Sequence, residues 1–596
     1  MSIKERVTRL LKGFRPPNKD ITELWKLFES GKNHNNVRNL KNDCERAQRF
    51  YEGDQWHGLE VDHPERTPYQ NFIAPTINHK LANVCMNEMA VVFDGDDSDL
   101  CSLITEKVGD VMKKIRVNQA GWDATEAALI TGNGYIFFPC GDICVDGAKI
   151  RGHKTPWQLI DSPCIFFGDE QSADIQSQPY IIIYERRNVE DVRKMAEKNG
   201  VPEEELLKIV KDEEEELLIT TDVEEELTTG TGKCSSIIYM EKKDGVLYVA
   251  RSTRHVIYEP LHPVCGGNEL QESAAVGMDM YPIVGMSVGL KKNSSRGVGE
   301  VLPMIPNQIE YNKNLVRIAA TVKNTSYPKM AYAKDMVENP SALEETGSMI
   351  AVDSDRGIND ILKAIGYIQP AAIGGDAFTL GNILKDGTRE LMNAGQAVTG
   401  EINPEKASGS AIIAMRDQAA IPLNKLQSSF KKMYADIGLV LFHYLIAYNP
   451  TGLNIAAGAE TEAREIGPEE LQAADLSINV EVTSIAPYSI FARDSALEKL
   501  MQAGAITFEE YVEALDENST VPKKVLDKLL KKREQLRRAQ EAQAVVDEIR
   551  GEDEENALMA GIAEKRVAEV LSGEGQPQGG LEEELENIMG GGEVNE

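Results

Sequence analysis

The sequence predicts a multidomain α+β protein, and three observations carry that expectation. A chain of 596 residues is too long for one core. Apolar residues recur with a period of 3.6 up to Thr131-Gly-Asn-Gly134, and the period then switches to 2. A helical stretch of about 24 residues at 302–325, without a breaker after the two prolines of its first turn, stands between β-rich segments. An apolar fraction of 42% is ample for packed interiors, so the chain reads as folded with flexible ends.

Taken in order, residues 1–58 read as helical. Leu24, Leu27 and Phe28 follow an i, i+3, i+4 pattern, Cys44 to Tyr51 continues it, and Gly53 and Gly58 close it. A loop with Pro64 and Pro68 leads into YQNFIAPTINHKLANVCMNEMAVVF, a helix with Ile73, Ile77, Leu81, Val84 and Cys85 on one face. Residues 103–130 repeat the helical pattern. YIFFPCGDICVDGAKI and PWQLIDSPCIFFGD then read as short strands bounded by Gly, Pro and Asp, and Tyr180 to Arg187 as another. Residues 189–199 form a helix with Asn188 as its cap and Gly200 as its terminator. From Pro202 to Glu226 the acidic density climbs, which fits either a solvated helix or mobile insert, or a cation site. Ile237 to Pro260 alternates again around the two-residue turn Asp244-Gly245, and Tyr281 to Val288 adds a strand.

The stretch at 302–325 begins with Pro303 and Pro306, tolerated in a first helical turn, and stops at Pro328. It would span about 36 Å. Leu315, Ile318, Ala319 and Val322 fall on one side; Glu310, Lys313, Arg317 and Asn324 fall on the other. One stripe wants a protein neighbour, and the other wants water or a charged partner. Beyond Pro328, KMAYA and SMIAV read as strands, GYIQPAAIGGD as a Gly-rich loop, and Ala377 to Asn393 as an amphipathic helix. A helix from about Ile412 to Tyr448 offers Leu439, Phe442, Leu445 and Ile446 to a core. SINVEVTS is a strand, 496–514 and 521–549 are helical, and the acidic end with GEGQPQGG and MGGGEVNE reads as disordered.

A formal charge of −32 argues against wrapping nucleic acid by phosphate neutralisation; it does not exclude a protein that lets nucleic acid slide past, because an acidic wall offers little to stick to. The eight cysteines show no paired framework and read as reduced thiols; Cys140 and Cys144 lack the second ligand pair that zinc needs. No run approaches the ~18 to 20 apolar residues of a bilayer span, and MSIKERVTRLLKGF is too charged for a signal peptide, so a cytosol-like compartment is expected. Gly230-Thr-Gly-Lys-Cys-Ser has Leu227 where a phosphate loop needs glycine, and Cys234 where it needs Ser or Thr. Ser408-Gly-Ser410 lacks the nucleophile-elbow pattern, and the eight histidines show no HExxH spacing. No catalysis, cofactor or metal is expected.

Several segments, in their order, resemble portal proteins of tailed bacteriophages. They are RFYEGDQW (Arg49 to Trp56), then NFIAPTINHKLANV, then a helix ending at TGNGYIFF. Gly297-Val-Gly299-Glu before the long helix, ASGSAI before another, and MQAGAITFEEYVEAL near the end are similar to portal sequence as well. The likeness covers roughly residues 45–515. It implies a ring, usually of twelve subunits, at one vertex of the capsid, through which double-stranded DNA passes in packaging and ejection. It further implies a multidomain portal fold: 1–188 as the N-terminal part of an α/β wing, 189–234 as a first stem helix with the acidic insert, and 235–290 as a small β-rich clip. Then follow 291–327 as the second stem helix, 328–495 as the C-terminal wing, 496–571 as a helical crown and 572–596 as an acidic disordered tail.

By the same resemblance, 366–376 is a candidate tunnel loop carrying Gln369, Pro370, Gly374 and Gly375. Lys313, Arg317 and Lys323 are candidates for transient contact with DNA phosphates, which would carry no sequence preference. The same three cations suit salt bridges with Glu310 or a neighbour equally well. Implied partners are further copies of the chain, the terminase large subunit as a separate ATPase, the major capsid and scaffolding proteins, and a head-tail adaptor, with no membrane. The protein would assemble in the host cytoplasm and reside in the virion. Two other classes compete: a capsid or tail scaffold component that conducts no DNA, and a nucleic-acid enzyme.

Overall fold

The computed structural model describes residues 20–56, 67–86, 88–95, 97–139, 141–145, 156–212, 217–219, 232–265, 277–326, 329–343, 349, 351, 365–368, 374–392, 421–449, 452–454, 465–467, 471, 476–483, 497–508, 511 and 514. The chain forms two compact units, Met1–Thr483 and Ser484–Glu596. In the second, Tyr511 is buried among Leu497, Met501, Ile506 and Phe508. The helix expected at 521–549 and the acidic tail at 572–596 lie outside the described residues.

The first unit opens with α1 (Ile21–Val37) and α2 (Leu40–Glu52), which turn on Asn39 in the left-handed region; α2 ends on Gly53 at φ 107°. The 3.6-residue stripe of α1 buries Leu24, Trp25 and Phe28 against Phe166, Tyr184 and Tyr239. In α3 (Ile73–Cys85) the five residues assigned to one face are all buried. The strand β1 (Glu88–Gly95) then begins inside what the sequence reads as a continuing helix. It pairs antiparallel with the SINVEVT segment nearly four hundred residues later, opposite Val91 and Val480. Residues 103–130 become two helices, α4 (Ser98–Lys114) and α5 (Val117–Thr131), because Arg116 takes a left-handed φ of 56°. Asp97 caps α4, its side chain accepting from the amides of Asp99 and Leu100.

After Gly132 at φ 101° the chain becomes β-rich. β2 (Asn133–Phe137) lies between β3 (Gln158–Ile160) and β9 (Ile283–Ser287) in a three-stranded antiparallel sheet. GDIC is a 3-10 turn rather than a strand: Gly141 passes so close to Tyr444 and Tyr448 that a Cβ would lie 2.2 Å from the Tyr448 ring.

A five-stranded antiparallel meander runs β4 (Ile165–Phe167), β5 (Tyr180–Asn188), β6 (Lys233–Lys243), β7 (Val246–Thr253), β8 (Ile257–Pro263). Asp244 and Gly245, at φ 52° and 78°, make the tight turn that their sequence signals. Between β5 and β6 lies α6 (Val189–Lys198), whose Val192 and Ala196 are buried with Ile209, Cys234, Val256 and Tyr258. Asn188 occupies the cap position but its side chain makes no capping bond; Gly200, at φ 76°, terminates the helix as expected. One sheet therefore draws strands from 165–188 and from 233–263, across the ranges read as wing and clip.

The long helix α7 (Val301–Ser326) follows, then β10 (Lys329–Tyr332), β11 (Ile365–Ile368) and α8 (Asp376–Leu391). α9 (Asn424–Tyr448) passes through the core, burying Phe430, Met433, Ile437, Val440, Leu441 and Leu445. Phe442 and Ile446 are buried as expected, Leu439 only partly, and residues 412–420 lie outside the described ones. The small pair β12 (Leu453–Asn454) and β13 (Glu465–Ile466) precedes β14 (Leu476–Thr483), the partner of β1. Among the described residues no helix is long and apolar enough to cross a membrane.

Replacing the α4 cap, Asp97→Ala, is expected to lower unfolding free energy by about 1 kcal/mol. Chemical denaturation beside Asp99→Ala, which leaves the cap intact, checks it: equal losses would contradict the cap's role.

Candidate functional site

The long helix starts from a crossing built of glycines. Gly297 and Gly299 pass directly over the end of α5: a Cβ on Gly299 would meet the Ile130 carbonyl oxygen at 2.0 Å, and one on Gly297 the Gly132 oxygen at 2.4 Å. No other residue fits there without moving backbone. Hydrogen bonds stitch the crossing: Val288 N donates to Gly132 O at 2.9 Å, Glu300 N to Leu129 O at 2.8 Å, and Gly297 N to Asn133 Oδ1 at 2.9 Å. Two segments that the resemblance singled out separately, TGNG and Gly297-Val-Gly299-Glu, thus form one structure. Glu300, just ahead of the helix, pairs with the buried Lys80 of α3.

Beside the crossing sits Arg296, 3% exposed. Its guanidinium donates to both Glu170 oxygens (Nη2 at 2.9 Å, Nε at 3.2 Å) and to the carbonyls of Ser162 at 2.8 Å and Ile165 at 2.7 Å. It also lies 5.0 Å over the Phe167 ring. Burial works to raise the Glu170 pKa, but the Arg296 charge, with bonds from Arg296 and Ser295, outweighs it and holds the carboxyl below its usual range. The Tyr135 hydroxyl nearby is pushed up to about 12 by burial. This anchor ties the root of α7 to the 162–170 segment and, through Arg38 Nη1 to Ser294 Oγ at 3.1 Å, to α1.

Further along, α7 is held by amides rather than hydrocarbon. Gln308 accepts from Phe72 N at 3.1 Å and donates to Gln70 O at 2.7 Å; Asn312 accepts from Gln70 N at 3.2 Å and donates to Gln55 Oε1 at 3.1 Å. Tyr311 OH donates to Gln70 Oε1 at 2.6 Å. On another side lies α8, antiparallel: Asn307 Nδ2 donates to Thr388 Oγ1 at 2.8 Å and Asn314 Nδ2 to Ala377 O at 2.6 Å. Between the two helices in the chain lie β10 and β11, which pair antiparallel with Lys329 opposite Ile368.

Burial along α7 differs from the sequence reading. Its first half is buried through Val301, Met304, Ile305, Gln308, Tyr311 and Asn312. The stripe named from periodicity is only half-buried at Leu315 and Ile318 and exposed at Ala319 and Val322, the latter by 50%. The second half of the rod leaves the core of its own chain.

Of the candidate site residues, Lys313, Arg317 and Lys323 are all exposed, and Arg317 Nη1 pairs with Glu310 Oε1 at 2.9 Å. Gln369 and Pro370 lie outside the described residues. Gly374 and Gly375 are exposed and lead into α8. Gly366 is not in a loop but in β11, opposite Ala331, while Met349 and Ala351 of SMIAV are in no strand. Cys234 and Ser235 of the false phosphate loop lie in β6. Cys44, Cys85 and Cys144 are buried thiols pushed up to about 12 by burial, hence protonated. Among the described residues no cluster of His, Cys, Asp and Glu could hold a metal ion.

Sequence reasoning missed Arg296, Gln308 and Asn312. The last two left a signal: at about 100° per residue they fall on the side of Val301 and Ile305, where polar residues need partners. Arg296 left none, since its carboxylate stands far away in sequence.

A family model described as phage P22-like portal protein matches residues 34–451, which include the glycine crossing, α7, α8 and α9. No curated protein matches. Among solved structures, a chain of a native gene transfer agent virion particle is similar at 10% identity and a TM-score of 0.32, over 85% of this chain and 96% of that one.

Arg296→Met is expected to cost about 3–5 kcal/mol, because it strands the Glu170 charge. Since the Glu170 carboxyl is held below its unfolded value, its contribution is present above the ordinary carboxylate range and lost as pH falls through the folded value. Melting curves over descending pH should therefore show an acid loss that Glu170→Gln flattens. An unchanged acid limb in Glu170→Gln would refute the assignment.

Proposed function

We propose that this chain, which belongs to the phage P22-like portal protein family, assembles as the ring-shaped portal of a phage virion and conducts double-stranded DNA. The observation that carries the reading is the long helix: rooted by buried side chains at one end, it projects a half-exposed second half beyond its own core. A single polypeptide gains nothing from an exposed rod of this kind. A closed circle of copies gives it neighbours and a hollow to border.

The antiparallel pair α7 and α8, with β10 and β11 between them, is our choice for stem and clip. It replaces the allocation to 189–199 and 235–290, because α6 is packed into its own sheet through Val192 and Ala196. What remains of the candidate loop, 369–375, connects β11 to α8 in the chain and so goes with the clip end. With a formal charge of −32 per chain, a ring of such copies, twelve by the portal likeness, repels a polyanion and favours sliding over retention. Arg317 is balanced by Glu310, which leaves Lys313 and, nearer the end of the rod, Lys323 as the candidates for brief phosphate contact. We read no enzymatic step in this chain. The terminase large subunit would supply the motor, and capsid, scaffolding and head-tail adaptor proteins would bind the ring.

End-on electron micrographs with mass measurement test this. Rings near twelve subunits with an axial hole are expected; a monomer at high concentration and low salt, or assemblies without a hole, would overturn it. Duplex DNA should bind the purified ring weakly, without sequence preference, and be released on raising salt.

A further inference from the structure

The rod, from its middle onward, and its partner helix each carry an outward face that their own contact does not use. On α8, Leu380, Ile383, Gly387 and Leu391 fall within an arc of about 80° when about 100° is taken per residue. The large ones are open to solvent: Leu380 40%, Ile383 62% and Leu391 75%. The side of α8 that meets α7 is a different one, carrying Gly381 and Thr388. Asp376 stands at the N-terminal end of the open stripe and Glu390 beside its edge, both exposed. On α7, Ile309, Lys313, Val316 and Ala320 line up on the side opposite Asn307, Tyr311 and Asn314, which face α8. Ile309 is half-buried against the core of its own chain, Val316 is half-buried, and Lys313 and Ala320 are exposed, so the open part of this face is its Lys313–Ala320 end.

We infer that these two faces are the halves of one seam, filled by a second copy of this chain: the α8 stripe of one copy packs on the Ile309–Ala320 face of the next, with Lys313 against its acidic border. The inference rests on the ring reading and adds to it where copies meet and what Lys313 does. Three features select a second copy over an unrelated partner. The faces match in length, each running twelve residues, about 16 Å from first to last. Their charges are complementary, acids flanking the α8 stripe and a lysine centred on the α7 face. Each face sets a small residue, Gly387 or Ala320, among larger ones, which lets helices approach closely. The faces differ from each other and sit on different helices, so the contact is head-to-tail and repeats around a ring instead of stopping at a dimer. Lys313 then belongs to the seam and not to a surface that DNA touches.

The test compares wild type, Ile383→Asp/Leu391→Asp, Lys313→Glu, and Lys313→Glu/Glu390→Lys by light scattering and thermal melting. The double aspartate variant should fall to monomers or small oligomers, with the monomer's melting unchanged because both positions are exposed. Lys313→Glu should reduce the ring fraction at least tenfold at low salt, and adding Glu390→Lys should restore it. If wild type forms rings and the aspartate variant keeps them, the seam is wrong while the portal reading stands. If the variant keeps its rings but melts lower, the stripe is covered by its own chain, and the seam is again wrong. If wild type forms no ring, both readings fall. Rings of Lys313→Glu that match wild type at low salt would remove Lys313 from the seam.

Discussion

A single buried guanidinium decides where the long helix begins. Arg296 is almost fully removed from water, a state tolerable only because Glu170, two backbone carbonyls and the Phe167 ring surround it. Those partners come from one short segment, 162–170, so the loop before α7 is clamped to the sheet that carries β4. The glycine crossing comes next, and it leaves no slack: Gly297 and Gly299 touch the end of α5 through backbone alone. A helix is a stiff rod of about 1.5 Å per residue, so direction fixed at its first turn determines where its last residues, nearly 40 Å away, are placed.

The amide network on α7 complements that anchor. Apolar contacts tolerate rotation and slippage, whereas Gln308 and Asn312 bond to particular backbone atoms of Gln70 and Phe72. Directional bonds in a buried setting specify register and are costly to break. Direction comes from the crossing, rotation about the axis from the amides, and α8 then lies along the side that rotation leaves open.

What emerges has a functional logic that composition alone hints at. Half the rod is committed to its own core and half is not, and the uncommitted half carries both apolar and charged residues. The chain belongs to a portal family and is strongly acidic, and on the function proposed above that charge suits a wall past which DNA moves. Catalytic motifs are not needed for that task, and the buried thiols are held in their unreactive form.

Periodicity and local chemistry determined much of this protein. The faces of α1 and α3, the Asp244-Gly245 turn, the end of α6 at Gly200 and Pro303 in the first turn of α7 follow from the residues themselves, because each depends on neighbours within a few positions; Pro306, expected in that first turn as well, lies inside the helix, which begins at Val301. Only the tertiary structure decided that MAVVF leaves its helix to pair with Leu476–Thr483, that Arg116 splits one helix in two, that Gly366 lies in a strand, and that α7 has α8 beside it while α6 packs into its own sheet. The physical reason is the same each time: a strand's pairing or a buried charge's partner is chosen by long-range burial, and a sequence read locally contains the apolar residue, the arginine or the amide without its counterpart.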